Sequence, residues 1–107
     1  QVNVDDEASK SGCAPNQVES LAERIAAKPN LRLRGLMAIP DPARSADGHA
    51  FAAMQSLFNA LQKRFASVDT LSMGMSDDFP LAIAHGANLV RIGSALFGAR
   101  PNKTEAS

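Results

Sequence analysis

Residues 71–98 read LSMGMSDDFPLAIAHGANLVRIGSALFG, and this stretch decides the fold. Two apolar runs each end at a glycine, and each is followed by a serine and a short apolar helical pattern. With the two residues before it, the stretch predicts two β/α units: a strand over Asp69 to Met73, a turn over Gly74 to Asp78, a helix over Phe79 to His85, a strand over Asn88 to Ile92, and a helical turn over Ser94 to Phe97.

The same alternation extends to the start of the chain. Gln1 to Val4 predicts a strand, a helix follows Pro15, and Leu31 to Ile39 predicts a strand whose far end is buried on both sides. A long helix comes next, with one apolar stripe formed by Phe51, Met54, Phe58, Leu61 and Phe65. The order β-α-β-α-β-α-β predicts an α/β fold of about four parallel strands with crossover helices.

Composition limits the classes of protein that remain. The chain has 107 residues, enough for one domain, and its eleven basic and eleven acidic side chains cancel, which argues against nucleic acid or a membrane surface as a partner. No apolar run approaches the ~20 residues that cross a bilayer. The single cysteine, Cys13, favours a reducing, cytoplasmic location.

The two ends of the chain carry separate expectations. The sequence opens without methionine inside a predicted strand, which indicates a fragment of a longer protein. We expect one domain over residues 1–100 and a disordered polar tail over Pro101 to Ser107.

Two corners of the sequence have the features of an anion site. Ligands of parallel α/β proteins bind at the carboxyl ends of strands. One strand leaves through Gly74 to reach Ser76, and the next leaves through Gly93 to reach Ser94. Backbone N–H groups at helix starts, with a hydroxyl beside each, suit a phosphate monoester. Each corner alone is explained more simply as a helix cap, but two on consecutive strands favour a phosphate-bearing ligand.

Arg91 interrupts the apolar run of the last predicted strand. A guanidinium cannot lose its proton there, so it needs acceptors or a wet ligand site. The alternative is a pair with a buried acid such as Asp69 or Asp77. Simpler explanations are favoured for the remaining candidates: helix capping for Asp77 and Asp78, surface positions rather than metal ligation for His49 and His85, an inert thiol for Cys13, and no phosphate-binding P-loop at SKSG (9–12).

Three stretches resemble one protein family: VNVDDEASKSG (2–12), LRLRGLMAIP (31–40) and LSMGMSDDFPLAIAHGANLVRIGSALFGAR (71–100). They are similar to the pyridoxal 5′-phosphate (PLP) homeostasis proteins, formerly labelled proline synthetase co-transcribed proteins and related to the alanine racemase N-terminal barrel. The resemblance covers nearly the whole chain. It implies part of a (β/α)8 TIM-type barrel that holds PLP as a Schiff base at its carboxyl face without convincing turnover.

The resemblance also implies the residues of the site. By their positions in the family's motifs, Ser76, Gly93 and Ser94 hold the phosphate. Arg91 faces the pyridine nitrogen, where it suppresses protonation and weakens the ring as an electron sink. The resemblance places three further residues, Met37, Ser72 and Asn3, near the ring.

Four strands correspond to the carboxyl-terminal half of such a barrel, and the resemblance places the family's Schiff-base lysine in the other half. Among the lysines of this chain, only Lys10 lies in a loop at the carboxyl face. Half a barrel leaves two strand edges and an apolar face unpaired, which favours a homodimer or aggregation.

The resulting hypothesis is a non-catalytic carrier of PLP that maintains the intracellular supply of the cofactor. An amino-acid racemase that uses PLP is the alternative from the enzyme class, although it needs an acid/base residue opposite the lysine that the sequence does not show. A third hypothesis is a truncated product without ligand binding, whose motifs survive only as helix caps.

Overall fold

The computed structural model describes residues 1–41 and 47–98. Two parallel strands alternate with helices along these residues, which confirms an α/β fold, although the first and last strands of the predicted order are absent as strands. The elements are a 3₁₀ turn (Pro15–Gln17), α1 (Val18–Ala26), β1 (Gly35–Met37), α2 (His49–Arg64), β2 (Thr70–Ser72), α3 (Phe79–Ala84) and α4 (Ser94–Phe97).

A small parallel sheet lies at the centre of the molecule. β1 pairs with β2, and Met37 lies opposite Ser72. Single contacts extend the sheet on both sides: the backbone N–H of Val2 donates to the Met37 carbonyl oxygen at 2.8 Å, and Ser72 forms an isolated parallel bridge with Leu89. Four segments therefore lie side by side in chain order, separated by helices, as in consecutive β/α units.

The paired segments are shorter than predicted. Only Gly35–Met37 of the strand predicted over Leu31 to Ile39 is paired, and the two outer strands are reduced to bridges at Val2 and Leu89. An apolar pattern reports burial, whereas a ladder also needs a neighbouring strand. Within the described residues Leu89 has no neighbour on its outer side, and it is 51% exposed. Because a two-stranded sheet does not close into a barrel, the parallel sheet is confirmed but the barrel is not.

The core lies between α2 and one face of the sheet. Phe51, Met54, Phe58 and Leu61 are buried along α2, as their spacing predicts, and Phe65 at its end is half-buried. The remaining large core side chains come from α1, from the strands and from the segments beside them: Val2, Val18, Leu33, Leu36, Val68, Leu71 and Met73. Since side chains alternate along a strand, Met37 and Ser72 project from the face opposite to Leu36 and Leu71.

Gly35 permits the close approach of β1 to β2. A Cβ atom at this position would lie 1.7 Å from the carbonyl oxygen of Thr70, far inside van der Waals contact. Any side chain here would force the two strands apart, so the glycine is a requirement of the sheet.

Some expectations fall outside the described residues. They concern the centre of the loop between Asp41 and Gly48, the last residues of the predicted domain, and the tail Pro101 to Ser107. In the part of the chain that the structure describes, no helix has the length and apolar composition needed to cross a membrane.

Candidate functional site

The two predicted anion-binding corners meet at the carboxyl edge of the sheet. The Oγ of Ser76, in the loop after β2, accepts a hydrogen bond from the backbone N–H of Ala95 at 2.9 Å. Ala95 lies in the first turn of α4, directly after Gly93 and Ser94. Three residues predicted to share one ligand are therefore brought together by a direct contact between their loops.

Two backbone N–H donors beside Ser76 are unused within the described residues. Among residues 1–41 and 47–98, the backbone N–H groups of Gly93 and Ser94 donate no hydrogen bond. A Cβ atom at Gly93 would meet no heavy atom within 4 Å, so the backbone faces open space there. A group with several acceptor oxygens has both room and donors at this position.

Of the two aspartates that follow Ser76, Asp78 has a structural role. Asp78 is the N-cap residue of α3, and its Oδ1 accepts the backbone N–H of Met75 at 2.8 Å. The Asp78 side chain therefore closes the turn that presents Ser76, although it makes no cap bond to α3 itself.

Arg91 lies beside the sheet rather than inside a strand that is buried on both faces, which corrects the sequence-based expectation. It is half-buried, and its backbone N–H donates to the Gly74 carbonyl at 2.9 Å. Its Nη2 donates to the carbonyl oxygen of Ala38 at 3.0 Å, just past the end of β1. Its Nε is buried and has no hydrogen-bond partner among residues 1–41 and 47–98. The guanidinium therefore has a buried N–H donor that no acceptor in this part of the chain satisfies.

The alternative partner acids do not bind Arg91. Asp69 accepts two hydrogen bonds from Arg34, at 3.0 and 2.7 Å, and lies at the opposite edge of the sheet. These bonds lower the pKa of the Asp69 carboxyl from its ordinary value, and a hydrogen bond from the Thr70 hydroxyl lowers it further. Asp77 forms no ion pair within the described residues. The interpretation of Arg91 as the ion-pair partner of Asp69 or Asp77 is therefore wrong.

Met37 and Ser72, the two residues expected near the ring, lie together but away from the corner of Ser76, Gly93 and Ser94. They are register partners across the sheet and line an open cavity of about 420 Å³ on its face. The other residues that line this cavity are Gln1, Arg34, Gly35, Leu36 and Thr70. None of Ser76, Arg91, Gly93 and Ser94 lines it, so the structure contains a sheet-face cavity and a separate corner at the carboxyl edge.

The Asn3 side chain forms hydrogen bonds within its own loop. Its side-chain amide donates to the carbonyl oxygens of Glu7 at 2.7 Å and Lys10 at 3.3 Å, and its Oδ1 accepts the Glu7 N–H at 3.0 Å. With these bonds the amide organises its own loop, and it has little capacity left for a ring.

Sequence reasoning missed the contacts of Lys10. Its Nζ donates to the carbonyl oxygen of Ile39 at 2.7 Å and lies 2.8 Å from Glu7 Oε2. The oxygen of Glu7 lacks the geometry of a hydrogen bond, so that contact is charge pairing only. The lysine stood out as the one at the carboxyl face, but nothing in the sequence indicated a partner 29 residues away.

No metal site is evident in the described part of the chain, where no three residues among His, Cys, Asp and Glu are grouped to hold an ion. His85 stacks on Phe51 with ring centroids 6.5 Å apart. The half-buried Cys13 forms a backbone bridge with Val2. His85 therefore packs on a core ring, and Cys13 lies beside the first segment of the sheet.

The sequence matches the family model described as alanine racemase, N-terminal domain, over residues 1–101. The pyridoxal phosphate homeostasis protein of Pseudomonas aeruginosa is 57% identical over 109 residues, covering 100% of this chain and 46% of that protein. The protein of the same name from Escherichia coli is 49% identical over 102 residues, covering 94% and 44% respectively.

Solved structures from related proteins are similar to this chain. An unknown protein from Bifidobacterium adolescentis superposes with a TM-score of 0.79 at 32% identity, covering 86% of this chain and 39% of its own. PipY of Synechococcus elongatus with PLP bound has a TM-score of 0.72 at 33% identity, covering 84% and 44%. Without PLP, PipY gives a TM-score of 0.75 at 33% identity, covering 86% and 45%.

These matches correct one part of the sequence-based identification. The label of a carboxyl-terminal half is wrong for this domain, because the matching model describes an N-terminal domain. The chain spans about half the length of the curated relatives it matches.

Proposed function

Because the chain belongs to the alanine racemase N-terminal domain family, we propose that it contributes to a PLP-binding protein that maintains the intracellular supply of this cofactor without turning over a substrate. The names of its relatives support PLP homeostasis, and a neighbour in the family was solved with PLP bound. Since this chain spans about half of those relatives, the binding of PLP to it is part of the proposal.

The corner at the carboxyl edge carries the proposal. A phosphate needs several convergent donors, and the unused N–H groups of Gly93 and Ser94 lie next to the Ser76 hydroxyl, which already reaches α4. We assign the phosphate of PLP to these three residues. Met37, Ser72 and Asn3 stay weaker candidates for the ring, because the first two line a separate cavity and the third is bonded within its loop.

The incomplete hydrogen bonding of the Arg91 guanidinium supports its assignment to the ring of the cofactor. Its buried Nε lacks an acceptor, whereas its Nη2 is fixed to Ala38. A ring nitrogen beside the guanidinium would accept a hydrogen bond from it, and the permanent positive charge would keep that nitrogen unprotonated. When bound, PLP supplies an aldehyde and a ring that withdraws electrons best when protonated. The arginine thus supports a carrier rather than an enzyme.

The wider architecture follows from the same family membership. We propose that the parallel segments are part of a (β/α)8 barrel, whose carboxyl face is the usual place of ligand sites. The exposed edge at Leu89 is where a further strand or a second copy of the chain would pair. The lone Cys13 supports a cytoplasmic location for the protein.

A titration with PLP tests this function in the native protein at the full length that its gene encodes. We expect the Ser76→Ala, Ser94→Ala double variant to bind at least about tenfold more weakly, since hydrogen bonds to a charged group contribute about 1.5–3 kcal/mol each. Ser20→Ala and Ser56→Ala remove exposed hydroxyls on α1 and α2 and serve as matched controls.

Pyridoxal without its phosphate separates the corner from the rest of the site. Its affinity should be the same in the wild type and in the double variant, because no phosphate is present to lose its donors. Equal PLP affinity in both proteins, or no binding by either, would show that the corner does not hold the phosphate. Rapid racemisation of amino acids by the PLP-loaded wild type would refute the non-catalytic role.

A further inference from the structure

Residues 3–12, which we call the Asn3 loop, form a closed loop at the carboxyl end of the first segment of the sheet. The backbone N–H of Asn3 donates to the carbonyl oxygen of Cys13 at 2.9 Å, which joins the two ends. Inside the loop, the Asn3 amide bonds to the backbone of Glu7 and Lys10. A surface loop with paired ends and internal side-chain bonds presents its side chains in a fixed arrangement.

Lys10 is the side chain through which this loop reaches the rest of the fold. Its Nζ donates to the carbonyl oxygen of Ile39 at 2.7 Å, two residues beyond the end of β1. Glu7, in the same loop, holds the ammonium from its other side at 2.8 Å. Both side chains are mostly covered, with 27% and 19% of their surfaces exposed. Contacts of this kind are screened less by solvent than an open surface ion pair.

Arg91 binds the neighbouring carbonyl. Its Nη2 donates to Ala38, so two cations from distant parts of the chain bond to the oxygens of consecutive residues. The Ala38 N–H donates to the carbonyl of Ser72 at 3.0 Å and ties the same residue to β2. The segment Ala38–Ile39 is therefore held by three bonds, one of which fixes the direction of the Arg91 guanidinium.

We infer that Lys10 is a positioning residue for Arg91: by fixing the Ala38–Ile39 segment, it sets the orientation in which the Arg91 guanidinium meets its ligand. This inference rests on the proposed function for the identity of that ligand. Lys10 acts through the backbone of Ile39 and Ala38 and does not itself touch the ligand. The Asn3 loop accordingly belongs to the support of the site, which accounts for an amide that makes three hydrogen bonds within its own loop.

The NMR signal of the Arg91 Nε–H group tests the inference in the full-length native protein without PLP. A buried N–H gives a signal that exchanges slowly with water, and Arg91→Lys assigns it by its disappearance. In Lys10→Met, which keeps the length of the side chain but loses the donor, we expect a shifted signal and exchange about tenfold faster. Lys10→Arg keeps a donor and should restore the wild-type signal, and Lys63→Met, in α2, is the matched control.

Binding measurements extend the test. Lys10→Met should weaken PLP binding about tenfold, whereas Lys10→Arg and Lys63→Met should leave it near the wild-type value. An unchanged Arg91 signal in Lys10→Met would overturn the inference, and so would a signal in Lys10→Arg that is perturbed equally. If Lys10→Met fails to fold, Glu7→Gln, which only loosens the lysine, must still shift the signal. Because the signal is read without PLP, failure of the wild type to bind PLP would refute the proposed function alone.

Discussion

The hydroxyl of Ser76 accepts the backbone N–H of Ala95 at 2.9 Å, and this bond joins the loop after β2 to the first turn of α4. The two residues are 19 positions apart, with α3 and the last segment of the sheet between them. A short helix of four residues gains a cap from a loop outside its own sequence. The same contact brings the Ser76 hydroxyl next to the unused N–H groups of Gly93 and Ser94.

Removal of the Ser76 hydroxyl should affect stability only slightly. Ser76→Ala leaves the Ala95 N–H without its partner, but the pair lies in an exposed place where water can replace the serine. We expect a loss of about 0.5–1 kcal/mol in the free energy of unfolding, measured by urea denaturation. Ser56→Ala on α2 should change it by less. A loss above about 3 kcal/mol would mean that the serine has a larger structural role than one cap.

Gly93→Ala should separate folding from ligand binding. The backbone of Gly93 has φ of −116°, and a Cβ atom there meets no heavy atom within 4 Å, so the fold should keep its stability or gain up to about 1 kcal/mol. The new methyl group would stand in the space assigned to the phosphate. PLP affinity should fall by about tenfold or more in a direct titration, and unchanged affinity would place the phosphate elsewhere.

Gly35→Ala should have the opposite profile. The added Cβ atom would lie 1.7 Å from the Thr70 carbonyl oxygen. Because the overlapping atoms belong to the backbone of Thr70, no side-chain rotation can remove the clash. We expect a loss of about 3 kcal/mol or more, at the upper end of the range for single substitutions, seen as a lower thermal midpoint. Gly93→Ala is the matched control, since it adds the same atom in open space. Equal midpoints for the two variants would contradict the close approach of β1 and β2.

The Arg34–Asp69 pair should contribute to stability in a pH-dependent manner. Its hydrogen bonds lower the pKa of Asp69 in the folded protein. The contribution is therefore complete above the unfolded-state pKa of about 3.9 and is lost as the pH falls through the lower folded value. Asp69→Asn should lower the urea midpoint at about pH 7 and have a smaller effect at about pH 2.5. The control is Asp77→Asn, and a larger effect of Asp69→Asn in acid would reverse the expected sign.

Local patterns were sufficient to predict the alternation of helices and strands and the buried stripe of α2. Phe51, Met54 and Phe58 recur with helical spacing, and this periodicity needs no knowledge of the partner surface. The meeting of Ser76 with the corner after Gly93 was also predictable, because the carboxyl ends of adjacent parallel strands share one edge. What these features have in common is that chain order determines them.

Contacts between distant residues could not be predicted in the same way. The sequence predicted a carboxylate or a ligand as the partner of Arg91, and it did not indicate the bond from Arg91 to the Ala38 carbonyl, 53 residues away. Backbone carbonyls carry no signature in the sequence, since every residue has one. The same reason hid the bond from Lys10 to Ile39 and the use of the Asn3 amide by its own loop.

The central claim is that the corner of Ser76, Gly93 and Ser94 holds the phosphate of PLP, and ³¹P NMR of the PLP-loaded native protein tests it most directly. The dianion of a free phosphate monoester takes up a proton at about pH 6. Donors that bind the dianion should keep the ³¹P signal constant from about pH 5 to about pH 8 in the wild type. In the Ser76→Ala, Ser94→Ala variant, the signal should again move with pH. A wild-type signal that titrates as in free PLP would contradict the claim.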